Sequence, residues 1–123
     1  MSKTERLNSQ CPVGRTLERV GDGWTLLILR DAAQGLTRFD QFEKSLGVAP
    51  NILTKRLAAL VENGLLEKRA YSTRPPRHEY LLTDLGRDFG GVLTAMLAFG
   101  NRHFAPEGAA GQDRKSTRLN SSH

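Results

Sequence analysis

Apolar residues recur at helical spacing along most of this chain and at strand spacing over one short stretch. Val13, Leu17 and Val20 share one side of a first helix over 12–20, and Pro12 suits its opening position. Gly21-Asp22-Gly23 interrupts it as a turn. A second helix is predicted over 24–34, with Trp24, Leu27, Ile28 and Ala32 turned inward and Gly35 as its stop. Leu36-Thr37-Arg38-Phe39 reads as a very short strand leading into a helix over 39–46. Phe39, Phe42 and Leu46 lie on one side of that helix, and Gly47 ends it. The helix at 50–63 follows, with Leu53, Leu57 and Leu60 inward and Gly64 as its stop. Residues 65–71 and 78–82 read as two strands with Tyr71, Tyr80 and Leu82 as inward anchors. The six residues between them include Pro75-Pro76, which cannot donate backbone hydrogen bonds to a sheet. Thr83 caps a long final helix over 84–103, with Leu85, Phe89, Val92, Met96 and Phe99 as its apolar stripe.

These elements predict one domain over 11–104, preceded by a flexible arm over 1–10. The tail over 105–123 is rich in Gly, Ala and Pro and then polar, and is expected to be disordered. Its last part, DRKSTRLNSSH over 113–123, resembles a translated adapter sequence and is taken as non-native. At 123 residues, 38% hydrophobic and 25% charged, the chain has room for one ordinary globular core. No apolar run approaches the roughly 20 residues of a membrane span. Residues 1–10 are polar and lack the apolar heart of a signal peptide, so a cytoplasmic protein without membrane contact is expected. One cysteine, Cys11, excludes an intrachain disulfide framework.

Charge changes the picture by its placement. The net charge is +5, of which residues 113–123 supply +2. Residues 51–77 hold Lys55, Arg56, Lys68, Arg69, Arg74 and Arg77 against Glu62 and Glu67, a net +4 that exceeds the +3 of residues 1–112. Positive charge concentrated in this way attracts polyanions, although a solvated basic face would look the same on charge alone. The helix at 50–63 has an apolar back and a polar front of Asn51, Thr54, Lys55 and Ala58. A helix that reads the major groove needs both faces. Asn51 suits adenine or a phosphate, Thr54 a base edge or a phosphate, and Lys55 and Arg56 guanine or phosphate. Ala58 permits close approach. Arg74 and Arg77 flank the loop prolines and suit contacts to phosphate or the minor groove, which position a protein on a duplex. A short helix, a turn, a second helix and a basic hairpin, in that order, predict an α+β, mostly helical winged helix-turn-helix. The expected partner is double-stranded DNA.

Several segments resemble the HxlR family of bacterial winged helix-turn-helix transcription regulators. They are Cys11-Pro12-Val13, Gly23-Trp24-Thr25-Leu26-Leu27-Ile28-Leu29-Arg30, Arg38-Phe39, Asn51-Ile52-Leu53-Thr54-Lys55-Arg56-Leu57, Gly64-Leu65, Arg74-Pro75-Pro76-Arg77, Glu79-Tyr80 and Leu82-Thr83 with Leu85-Gly86. The resemblance implies a homodimer joined through its N- and C-terminal helices, which binds a roughly palindromic operator. Repression is the expected output of a small dimer with no separate effector domain. The sequence departs from the pattern at Ala49, where Ser, Thr or Asp would cap the helix better. Gly90-Gly91 also departs from it, costing roughly 1 kcal/mol per glycine inside a helix.

Cys11 precedes Pro12 and a helix, whose positive end favours negative charge, and Arg15 follows one turn later. The resemblance implies an oxidant or electrophile sensor at this position, and a small-molecule or oxidant effector with it. An inert small residue is the other reading. Asp88-Phe89-Gly90 matches a kinase metal triplet by letters only, because no glycine-rich phosphate loop or catalytic loop accompanies it. His78, His103 and His123 lack zinc-ligand spacing. No nucleophile–base pair is evident, so neither an enzyme nor a cofactor is expected. The alternative function is a winged helix kept as a protein-interaction or dimerisation module.

Overall fold

The computed structural model describes residues 10–106. Most of the expected arm and tail, including 113–123, lies outside the described residues. In chain order the elements are helices α1 (Pro12–Val20), α2 (Gly23–Ala33), α3 (Phe39–Leu46) and α4 (Pro50–Glu62). Strands β1 (Leu66–Thr73) and β2 (Pro76–Leu82) follow, and then helices α5 (Asp84–Asp88) and α6 (Gly90–His103). The chain divides into two compact units between Asp88 and Phe89.

In the first unit α2 is the hub. It packs against α1, α3, α4 and β2. Asp22 starts it, because Asp22 Oδ1 accepts from the Trp24 amide at 2.9 Å and the Thr25 amide at 3.3 Å. The core contains Ile28 and Leu29 from α2, Phe42 from α3, Leu53, Leu57 and Leu60 from α4, and Leu65 and Leu66 at the start of the hairpin. Fully burying a Leu, Ile or Phe side chain contributes about 1.5–3 kcal/mol, so this cluster dominates the unit's stability. Gln41 Oε1 holds the entry to α3 by accepting from the Thr37 and Arg38 amides at 2.9 and 3.0 Å. Gly47, at φ 65°, closes α3 in the left-handed conformation that glycine adopts most readily. Val48 is buried in the turn, and α4 begins at Pro50.

The hairpin is a single antiparallel pair whose register runs from Leu66 opposite Leu82 to Thr73 opposite Pro76. It is longer than the sequence predicts, because Pro76 occupies the first position of β2, where its missing amide is tolerated. The connecting turn is therefore Arg74-Pro75. A register shift between Ala70 and Ser72 frees Tyr71 from the alternation, and Tyr71 is exposed instead of serving as an inward anchor.

Other expectations shift too. Residues 36–38 form no strand, and a single backbone bond, from the Tyr80 amide to the Thr37 carbonyl at 2.7 Å, ties them to β2. In α2 the fully buried positions are Thr25, Ile28, Leu29 and Asp31, while Leu27 is exposed and Trp24 and Ala32 are half-buried. A helix contacted on several sides has no single apolar stripe to read. Asp31 in the core is paired through one oxygen only: Oδ1 accepts from Arg30 Nε at 3.2 Å and Nη2 at 2.9 Å, while the buried Oδ2 has no hydrogen-bond partner. On α1 only Val20 of the expected apolar face is buried, and Val13 and Leu17 are 67% and 53% exposed.

The expected long final helix is two helices. Thr83 Oγ1 caps α5 by accepting from the Gly86 amide at 3.0 Å, and the same hydroxyl donates to the Gly64 carbonyl. The helix breaks at Phe89, immediately before Gly90-Gly91, the pair with the poorest helix propensity in the segment. In the second unit, α6 exposes Val92, Met96, Leu97 and Phe99. Phe99 meets His103 and Phe104 in tilted ring contacts, with centroids 4.9 and 5.8 Å away.

One contact fixes where α5 meets the hairpin. A Cβ built on Gly86 would lie 2.1 Å from the Leu65 carbonyl oxygen. Gly86→Ala should therefore destabilise the protein by about 1–3 kcal/mol, the usual cost of overpacking. Urea unfolding checks this, and an unchanged midpoint would show that the backbone yields there without cost.

Candidate nucleic-acid interface

Helix α4 presents two faces because of its sequence phase. Leu53, Leu57 and Leu60 are fully buried, and Asn51, Thr54, Lys55 and Ala58 are all exposed on the opposite side. The N-cap, Ala49, is extended and makes no side-chain bond, and Pro50 occupies the first turn. The start of α4 thus depends on Pro50 and on the packing of its leucines. Thr54 Oγ1 donates to the Pro50 carbonyl at 2.9 Å. With its proton engaged, this hydroxyl offers lone pairs, which suit a base amino group better than a phosphate oxygen.

The hairpin supplies the second cationic group. Arg74 lies in the turn and Arg77 near the start of β2, and both are exposed. Ser72 Oγ donates to the Pro75 carbonyl at 3.0 Å and fixes the turn. Among the described residues Lys55, Arg74 and Arg77 form no ion pair. The hairpin also holds two cations over rings. The Arg38 guanidinium lies 5.3 Å from the Tyr71 centroid, and Lys68 Nζ lies 6.0 Å from that of Tyr80. Arg38 and Tyr71 are thereby tied together between the entry to α3 and the hairpin, a pairing with no local sequence signal.

Arg56 differs from the other candidate residues. It is half-buried, and its Nε lies 3.0 Å from Asp22 Oδ1, although the N–H is not aligned as a good hydrogen bond. Asp22 was legible in the sequence only as part of a turn, yet it caps α2 and meets α4. Cys11 is exposed at the N-cap of α1, makes no capping bond through its side chain, and accepts the Arg15 amide on its carbonyl at 2.8 Å. Among the described residues no group of three or more His, Cys, Asp or Glu side chains could hold a metal. No helix of the described residues is long and apolar enough to cross a membrane.

The Arg56 guanidinium beside Asp22 lowers that carboxyl below its ordinary 3.8, with help from the Thr25 and Trp24 amides, while burial pushes the other way. A lowered folded-state value means that the ionised form stabilises the fold above about pH 3.8, and that this contribution fades as pH falls through the lowered value. Asp22→Asn keeps the capping oxygen and removes the charge. Its stability deficit relative to wild type should be constant above pH 4–5 and should shrink toward zero in more acidic solution, as followed by urea unfolding across pH. A deficit independent of pH would rule out the charge as its source.

Comparison with known proteins places this geometry. The profile described as HxlR-like helix-turn-helix matches residues 19–108. The HTH-type transcriptional regulator Rv3095 of Mycobacterium tuberculosis is 46% identical over 97 residues, covering 78% of this chain and 61% of the relative. The chain thus spans about three-fifths of the length of that relative. The HTH-type regulator YtfH of Escherichia coli is 35% identical over 88 residues, covering 71% of this chain and 70% of the relative. Among solved structures, the Pseudomonas aeruginosa protein PA1374, named as a transcription factor, is 59% identical with a TM-score of 0.61, covering 80% of this chain and 67% of that one. The reduced form of the redox regulator HypR is 29% identical with a TM-score of 0.70, covering 76% of this chain and 95% of that one. The buried leucine seam of α4, its polar front, the basic hairpin and these matches agree, and the chain belongs to the HxlR-like helix-turn-helix family of transcriptional regulators.

Proposed function

We propose that this protein is a cytoplasmic transcriptional repressor that reads a palindromic operator as a homodimer. One observation carries the reading: α4 is anchored by Leu53, Leu57 and Leu60 and turns Asn51, Thr54, Lys55 and Ala58 to solvent beside a hairpin bearing Arg74 and Arg77. In this reading α4 is the recognition helix. Asn51 and Thr54 meet base edges, Lys55 meets guanine or phosphate, and Arg74 and Arg77 hold the backbone or minor groove. Arg56, also expected to contact DNA, is paired with Asp22.

One recognition helix and one hairpin cover a single half-site, so a palindrome requires two copies about one DNA turn apart. The exposed apolar residues support the pairing. Val13 and Leu17 on α1, and Val92, Met96 and Phe99 on α6, leave apolar surface uncovered in their respective units. The relatives carry regulator names, which favours a regulator over an enzyme. Cys11 is exposed at the start of α1, and HypR is named a redox regulator. Both support an oxidant- or electrophile-responsive regulator acting through Cys11.

Binding to a duplex recovered by the protein from a random library should weaken steeply with salt, through counterion release. Lys55→Ala or Arg77→Ala should weaken binding at every sequence and reduce the salt slope by about 1, whereas Asn51→Ala or Thr54→Ala should change the preferred sequence. Failure to bind any duplex at low salt would move the reading to an interaction module, and a chain that sediments as a monomer on its duplex would remove the paired half-sites. For Cys11, diamide or a quinone should change operator affinity in wild type and leave Cys11→Ser unaffected. Equal, unchanged affinities in both would end the sensor reading.

A further inference from the structure

We propose that Asp22 is a positioning residue for the recognition helix, and that Arg56 serves DNA binding as its tether rather than as a phosphate contact. The proposal rests on the DNA-binding reading above and assigns a different task to one cation within it.

Helical phase is the first support. At roughly 100° per residue, Arg56 lies about 60° from the centre of the Leu53–Leu57–Leu60 seam and about 150° from the centre of the polar front. It sits on the flank of α4 with half-buried Ile52 and Ala59, away from Asn51, Thr54, Lys55 and Ala58. A side chain placed there points toward the body of the first unit.

The partner is the second support. One oxygen, Asp22 Oδ1, meets the Trp24 amide at 2.9 Å, the Thr25 amide at 3.3 Å and Arg56 Nε at 3.0 Å. The same atom therefore caps the start of the central helix and holds the recognition helix. The Arg56 side chain is 33% exposed, and its Nε is enclosed. Releasing that guanidinium to a phosphate would strip the carboxylate of its cation at the α2 terminus. The lowered carboxyl of Asp22 accords with a pair that persists in the folded protein.

The third support is what α4 lacks. Ala49 gives its first turn no side-chain cap, so the residues meant to read bases begin on a helix end that frays easily. A tether two turns into α4, fixed to the hub of the unit, limits how far that end can rotate or lift. Holding a binding constellation to about half an ångström is what readout requires.

The two roles predict opposite signs for one substitution. Asp22→Asn keeps the capping oxygen and removes a negative charge. If Arg56 were a phosphate contact, freeing it and losing a carboxylate would leave affinity for a polyanion unchanged or raise it. If Arg56 is a tether, affinity falls. The test is a double-mutant cycle of Asp22→Asn and Arg56→Gln, with Lys55→Ala as the contact control, titrated across a salt series on the duplex recovered by wild type. Each single variant should bind roughly 10-fold more weakly, and the double variant no more weakly than either one, because they break the same link. The salt slope should stay at the wild-type value in Arg56→Gln and drop by about 1 in Lys55→Ala.

The proposal is overturned if Asp22→Asn binds as well as wild type or better, or if Arg56→Gln lowers the salt slope as Lys55→Ala does. A wild type that binds no duplex would sink the DNA-binding reading instead. The tether then stands or falls on amide hydrogen exchange at 51–55. Equal loss of protection in both single variants supports it, and unchanged protection overturns it.

Discussion

The helix that carries the candidate readers is held by its back. Leu53, Leu57 and Leu60 are fully buried, and α4 packs on α2, α3 and β1. Its own sequence gives it a poor beginning, with Ala49 as cap and no acidic residue in the first turn. An isolated helix of 13 residues is marginal in water, so tertiary burial keeps α4 helical. That requirement propagates through the first unit. The hub helix α2 must be buried on several sides to give α4 a platform, and α3 must deliver Phe42 to the same core. The turn at Gly47 and Val48 must set the angle between α3 and α4.

Much of this was legible because local chemistry agreed with the tertiary result. The α3–turn–α4 segment could be read nearly to its ends: Phe42 and the three leucines fall at helical spacing, and Gly47 and Gly64 sit where left-handed stops are needed. Thr83 was readable as a cap for a similar reason. What escaped was set by distant partners. The inward face of α2 cannot be phased from sequence when neighbours surround it, and Asp31 is buried there only with Arg30 beside it. Tyr71 has the composition of an anchor, but the register shift exposes it and Arg38 covers its ring. In the candidate site, the front of α4 and the hairpin arginines were visible as residue types at a spacing. The Asp22–Arg56 contact joins positions 34 apart and leaves no periodic trace.

Net charge also misleads in a specific way. The +4 of residues 51–77 counts every cation equally. In the folded unit Arg56 faces Asp22, Arg69 lies 3.5 Å from Glu67, and Lys68 rests over Tyr80. Among the described residues, the cations that form no ion pair at the front of α4 and around the hairpin turn are Lys55, Arg74 and Arg77. A smaller number of cations at fixed places is better suited to setting register on a duplex than a diffuse field, which would favour any polyanion equally.

The base of the hairpin is closed on itself. The Leu65 amide reaches back to Leu60, the Thr83 amide bonds to the Leu65 carbonyl, and the Thr83 hydroxyl joins Gly64 to the start of α5. Residues 66–82 therefore leave and re-enter the unit through one stitched seam. Beyond the seam the Tyr80–Thr37 bond and the Arg38–Tyr71 contact also hold the hairpin, so the part left free to vary is its outer end around Arg74-Pro75. That end can lengthen, shorten or exchange its charges during divergence while the helix ahead of it keeps its placement. Proteins built this way would vary the charge of the hairpin tip and the polar front of the helix as separate evolutionary variables.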